Sequence, residues 1–123
     1  MPSVLVIDDE KGIVGFLREA LTHFGHRVET AMDGEEGIQK FDDGSFDVVI
    51  TDYCMPGVDG KGVLQHIRSS CKNNIPIVGI SGTPWQLSDA DFDLVLPKPF
   101  PLPELINAIR QLTAVSRRAF SQI

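Results

Sequence analysis

VVITDYCMPGVDG, residues 48–60, is the stretch that decides the fold. The β-branched residues Val48, Val49 and Ile50 run through Thr51 into a carboxylate, Asp52. Pro56, Gly57 and Gly60 then break the chain direction. A continuous apolar run of this length reads as a strand covered on both faces, the kind that builds parallel sheets. A charge at the end of such a strand needs a partner, because an isolated ionised group is costly to bury.

The same arrangement recurs along the chain. Ser3–Ile7 is apolar and stops at Asp8-Asp9-Glu10. Ile13, Phe16, Leu17, Ala20, Leu21 and Phe24 then fall on one helical face, and Gly25 stands where a helix would end. His26 to Ala31 is a second strand. Asp33, with Glu36 three residues on, predicts a capping box opening a helix over residues 34–43, although Gly37 inside it is unfavourable. Phe46–Thr51 is the third strand, followed by a helix over residues 60–70 with Val63, Leu64 and Ile67 inward. Ile75–Ile80 is the fourth strand, and Leu94–Leu96 is a short fifth, closed by Pro97-Lys98-Pro99. The last helix opens near Pro101–Pro103, where proline is tolerated, with Leu102, Leu105, Ile106, Ile109 and Leu112 as its apolar face.

Strands alternating with helices across short connections predict an α/β fold with a doubly wound, five-stranded parallel sheet. The order 2-1-3-4-5, flavodoxin-like, places the topological switch between the first and third strands. Ligands in such sheets bind at the carboxyl ends of the strands.

A length of 123 residues fits one domain, residues 1–123, with 115–123 as the end of the last helix or the start of a linker. The net charge of −6 argues against direct nucleic-acid binding, which needs a basic face, and Arg117 and Arg118 are too few to reverse it. No apolar run approaches the ~20 residues of a membrane span. The first residues, Met-Pro-Ser-Val-Leu, lack the pattern of a signal peptide, so a cytoplasmic location is expected. Cys54 and Cys71 form no CxxC or zinc pattern and read as reduced, partly buried thiols.

The polar residues collect at the predicted strand ends: Asp8 and Asp9, Asp52, Ser81 and Lys98. Each has an ordinary reading alone. Asp8-Asp9-Glu10 could cap the helix that follows. Asp52 could be a turn residue, Ser81 a loop hydroxyl and Lys98 a solvated charge. Together, at successive strand ends, they form a site. Clustered carboxylates raise each other's pKa values unless cations offset them. Lys98 is one cation, and a hard, oxygen-seeking ion such as Mg²⁺ is another. A carboxylate can also attack phosphorus to give an aspartyl phosphate, and phosphoryl transfer then needs mainly positioning and charge neutralisation.

At this point the sequence resembles the receiver domain of bacterial two-component response regulators. The segments that carry the resemblance are VLVIDDE (4–10), VVITDYCMPGVDG (48–60), VGISG (78–82) and LVLPKPF (94–100), in the family's order over residues 3–115. The resemblance implies that Asp52 is the phosphoacceptor. It implies that Asp9 binds Mg²⁺ directly, that Asp8 does so directly or through water, and that the backbone carbonyl of Cys54 is a further ligand. Ser81 matches the switch hydroxyl, and Lys98 matches the lysine that pairs with a phosphoryl oxygen. Met55-Pro56 and Gly60 match the loop that shapes the pocket, and the bond before Pro99 is implied to be cis. A sensor histidine kinase or phosphotransfer protein is the implied phosphoryl donor. Cys54 and Thr83, two positions past Asp52 and Ser81, are small and imply no unusually long-lived phosphoaspartate.

Two features depart from the family pattern. Val95 stands where an aromatic switch residue is usual, three positions before Lys98. The segment between Ser81 and Lys98, which reads TPWQLSDADFDLV over residues 83–95, is short, so a shortened fourth helix is expected, with Trp85 either covering the edge or anchoring a partner. Two other functional classes compete. A phosphatase of the haloacid dehalogenase type typically needs an acid two residues after its nucleophile, and Cys54 stands there. A phosphorylation-independent scaffold of receiver type often loses an acidic or lysine position, and all are present here.

Overall fold

The computed structural model describes residues 2–72, 74–82 and 92–121, with side chains described through Ala114. The elements are β1 (Ser3–Ile7), α1 (Lys11–His23), β2 (Arg27–Ala31), α2 (Gly34–Asp43), β3 (Val48–Asp52), α3 (Gly60–Arg68), β4 (Ile77–Ser81), β5 (Leu94–Pro97) and α4 (Leu102–Ser121). The five strands form one parallel sheet in the order β2-β1-β3-β4-β5. The shortened helix expected between β4 and β5, with Thr83 and Trp85, falls on residues 83–91, outside the described residues; α4 is the last helix.

Alternating side chains send each strand's apolar residues to two cores, one on each face of the sheet. On one face Val4, Val6, Val48, Ile50, Val78 and Ile80 pack against Leu17 and Leu21 of α1 and Leu105, Ile106 and Ile109 of α4. On the other, Leu5, Ile7, Val49 and Ile77 meet Phe41 of α2 and Val63, Leu64 and Ile67 of α3. All five residues of β3 are buried, as are all five of β4. Two-sided covering is why the strands read as unbroken apolar runs.

Several expectations are corrected. The third strand starts at Val48 rather than Phe46 and runs on to Asp52. Phe46 joins the core from the preceding loop, while Asp47 is tied to Ser3 through both its backbone and its carboxylate. The fourth strand spans Ile77–Ser81 rather than 75–80, because its ladder continues until Ser81 pairs with Pro97. On α1 the buried stripe is Val14, Leu17 and Leu21. Phe16 and Phe24 were expected inward and are 54% and 47% exposed. The six-residue apolar face is wider than the sheet can cover, and contact with the strands rotates the two phenylalanines to its outer margin. Both cysteines are free and exposed rather than partly buried, since each lies in a connection past the sheet edge or the end of α3.

The capping box at α2 takes a modified form. Asp33 accepts from Glu36 N–H (2.8 Å), but Glu36 reaches past Asp33 to accept from Met32 N–H (2.6 Å). At the other end of α2, Lys72 donates to the carbonyls of Phe41 (3.0 Å) and Gly44 (2.7 Å), and its ammonium stands 5.2 Å from the Phe41 ring centroid. Unpaired carbonyls and the helix dipole both favour a cation there.

Gly60 is required by close approach. Its N–H donates to Tyr53 O (2.8 Å), and a Cβ on it would sit 2.6 Å from both Asp52 O and Tyr53 Cα. Those are backbone atoms and cannot turn aside. Gly60→Ala is therefore expected to cost about 2 kcal/mol or more, by the overpacking mechanism. Gly15, inside α1, has open space where a Cβ would stand. Gly15→Ala is expected to gain about 0.5–1 kcal/mol, the ordinary helix-propensity difference. Urea midpoints of the two variants should move in opposite directions; a Gly60→Ala midpoint equal to that of the parent protein would refute the close-contact account.

Candidate functional site

The site forms where β1, β3, β4 and β5 end. The ladder carries Asp52 to the end of the central strand, opposite Ile80. Tyr53 N–H donates to Ile80 O (2.9 Å), which holds the chain in register just past the carboxylate. Asp8 leaves β1 with its N–H on Ala31 O (3.1 Å). Lys98 follows β5, and its N–H donates to Ser81 O (2.9 Å), locking the lysine beside the end of β4. The Lys98–Pro99 peptide is cis, as the resemblance implied.

Asp8, Asp52 and Ser81 are all buried. Lys98 reaches into this pocket from the side. Its Nζ lies 3.1 Å from Asp52 Oδ2, 3.1 Å from Glu10 Oε1 and 3.5 Å from Asp8 Oδ2. Asp8, Glu10 and Asp52 each place a carboxylate oxygen within 4.8 Å of the others. Glu10 N–H donates to Asp8 Oδ1 (3.0 Å), so the turn after β1 is folded onto its own acid. Asp8 Oδ2 is buried and, among the described residues, has no hydrogen-bond partner.

The electrostatics follow from this crowding. Burial pushes the Asp8 carboxyl up to about 6, with the Asp52 charge adding to the rise; the Glu10 N–H and Lys98 oppose it. Lys98 moves the other way. Burial alone would lower it, but its bonds to Glu10 and Asp52, with the Asp8 and Asp52 charges, outweigh that and hold it above the ordinary lysine value. One ammonium does not balance three carboxylates. An all-oxygen donor set, excess negative charge and a buried Asp8 oxygen whose only described partner is the 3.5 Å ion pair with Lys98 together fit a hard divalent cation.

Of the residues expected at the strand ends, Asp8, Asp52 and Lys98 meet through their side chains, and Ser81 meets Lys98 through its backbone carbonyl. Asp9 is exposed and stands apart from the carboxylate trio. It borders an open groove lined also by Met32, Asp33, Glu35, Pro56 and Val58. Cys54 lies exposed at the rim, two residues past Asp52. Val95 is half-buried within β5, opposite Gly79 of β4. Glu10 is the residue that sequence reasoning passed over. Its place in the Asp8-Asp9-Glu10 run was visible, but its bond to Lys98, 88 positions away, was not.

Fold and pocket together define a doubly wound α/β module with an acidic, lysine-bearing site at its switch edge. Sequence and structure comparisons give that class its family. The response regulator receiver domain family model matches residues 4–110, and the chain belongs to that family. Response regulator ArlR of Staphylococcus aureus is 30% identical over 115 residues, covering 91% of this chain and 52% of ArlR. The chain thus spans about half the length of the curated relatives it matches. Among solved structures, the Francisella response regulator 1452 receiver domain is 29% identical with a TM-score of 0.87, covering 94% of this chain and 99% of that one. The response regulator protein TrrA from Thermotoga maritima, solved in complex with Mg²⁺–BeF, is 35% identical with a TM-score of 0.83, covering 91% and 99%. Among the described residues, no helix is long and apolar enough to cross a membrane.

Proposed function

We propose that Asp52 accepts a phosphoryl group from a sensor histidine kinase or phosphotransfer protein in a Mg²⁺-dependent reaction. The observation that carries this reading is the buried Asp52 carboxylate, aligned by Lys98 at 3.1 Å at the carboxyl end of the central strand. The Mg²⁺–BeF complex of TrrA, 35% identical to this chain, supports it.

In this reading an Asp52 oxygen attacks phosphorus while the donor's bond to phosphorus breaks. Lys98 pairs with a phosphoryl oxygen, and the Ser81 hydroxyl turns toward another. By the family resemblance, Asp8, Asp9 and Asp52, with the backbone carbonyl of Cys54, would hold Mg²⁺, which requires the exposed Asp9 side chain to turn in from its groove. When bound, the ion neutralises charge building on the phosphoryl oxygens. Burial around Asp8 and Asp52 strengthens these interactions by excluding water. The chain assists only its own phosphorylation and dephosphorylation and turns over no separate substrate. Its phosphorylated surface then engages an output partner, in a cytoplasmic setting and without itself gripping nucleic acid.

The test is incubation with Mg²⁺ and a small phosphodonor, followed by intact mass. A single adduct of ~80 Da, the mass of one phosphoryl group, is expected. Its absence with Mg²⁺ present, after rapid acid quenching to preserve an acyl phosphate, would overturn the assignment.

A further inference from the structure

Glu10 has no part in the reaction described so far, and its geometry gives it one. It is the N-cap residue of α1, yet its side chain makes no capping bond, although a carboxylate there ordinarily accepts from the first-turn N–H groups. The side chain instead reaches Lys98 Nζ at 3.1 Å. Its exposure is 59%, against 2% for Asp8 and 6% for Asp52. Two carboxylates of the trio thus lie on the floor of the pocket, and Glu10 stands at its mouth. A donor approaching Asp52 passes a fixed negative charge that the floor does not require.

We propose that Glu10 is a specificity-determining residue that selects phosphoryl donors by charge at the mouth of the Asp52 pocket, disfavouring donors whose leaving group departs as an anion. The proposal rests on Asp52 being the phosphoacceptor. Two small donors separate the cases. With acetyl phosphate, a dianion, the Asp52 oxygen forms a bond to phosphorus, the bond from phosphorus to the bridging oxygen breaks, and acetate leaves. With phosphoramidate, protonated on nitrogen and carrying one net negative charge, the same oxygen–phosphorus bond forms, the phosphorus–nitrogen bond breaks, and ammonia leaves. The first donor carries one more negative charge past Glu10 than the second.

The experiment measures the rate of adduct formation from each donor, with saturating Mg²⁺ and low ionic strength, by quenched intact mass. Glu10→Gln should raise the acetyl phosphate rate relative to the phosphoramidate rate about fivefold, on the order expected for one unit charge at ~5 Å between surface-pair and bulk-water screening. Glu10→Asp keeps the charge but shortens the reach to Lys98, and should retain the wild-type ratio. Added salt should shrink the difference between wild type and Glu10→Gln. A Glu10→Gln ratio equal to the wild-type ratio overturns the proposal. If both rates then fall by one factor, Glu10 serves only to support Lys98 or the ion. If wild type takes a phosphoryl group from neither donor, the phosphoacceptor reading itself fails and donor selection falls with it.

Discussion

Asp52→Asn takes the ~80 Da phosphoryl adduct to zero, at least about 100-fold below wild type, under conditions that modify the parent protein. The reason is chemical rather than structural. The attacking atom is a carboxylate oxygen, and an amide offers no comparable nucleophile. Asparagine has nearly the same volume, so the buried end of β3 stays filled. Its side-chain oxygen can still accept from Lys98, which lies 3.1 Å from Asp52 Oδ2. The Tyr53–Ile80 bond that sets the register of this segment is between backbone atoms and is untouched. A folded protein without an adduct is therefore the expected result, with circular dichroism confirming the fold. An adduct persisting in Asp52→Asn, mapped by peptide mass to Asp8 or Asp9, would show that a neighbouring carboxylate is the acceptor.

Asp8→Asn is expected to stabilise the metal-free protein while removing its response to Mg²⁺. Asp8 is 1% exposed and its carboxyl is raised from 3.8 to about 6. A folded-state pKa above the unfolded one means that folding favours the protonated form. For this group, stability is then highest below about pH 4 and is lost as pH rises from about 4 to 6. The shift corresponds to roughly 3 kcal/mol at neutral pH, at 1.36 kcal/mol per unit. Asparagine is neutral throughout and escapes that loss, in which the opposing 3.5 Å contact with Lys98 is already counted. Allowing for the cost of burying an amide in place of the protonated acid, a gain of about 2 kcal/mol is expected, or a rise of about 5–10 °C in Tm for a chain of this size. With Mg²⁺ held as proposed, the ion should stabilise wild type by mass action, through binding to the folded state. The variant would offer one carboxylate oxygen and one charge fewer to the ion, so its Tm should stay nearly flat across a Mg²⁺ titration. Measured at several pH values, the gap between the two metal-free proteins should close toward pH 4. A gap that is constant with pH would exclude the Asp8 carboxyl as its source.

The two results bear on one conflict. The same crowding that makes the pocket attractive to a divalent cation makes it unfavourable without one. Function here is held against stability, a trade often found at active sites.

The sequence by itself determined the order of the elements, the parallel sheet and the placement of Asp8, Asp52, Ser81 and Lys98 at the strand ends. These were legible because two-sided burial leaves an unbroken apolar run, and a run that stops abruptly at a polar residue marks its own carboxyl end. The α2 cap was legible for a similar reason, since Asp33 and Glu36 act within one turn. Only the tertiary structure decided what lies across the chain. Helical periodicity gave α1 a broad apolar face, but contact with the sheet chose Val14 for burial and left Phe16 and Phe24 exposed. Spacing showed Gly60 in a turn, whereas the backbone of Asp52 and Tyr53 pressed against it became visible only in the fold. Asp9 and Glu10 are adjacent in sequence and equally acidic. One faces a groove and the other bonds Lys98, because the turn after β1 sends neighbouring side chains in different directions and β5 brings the lysine to only one of them.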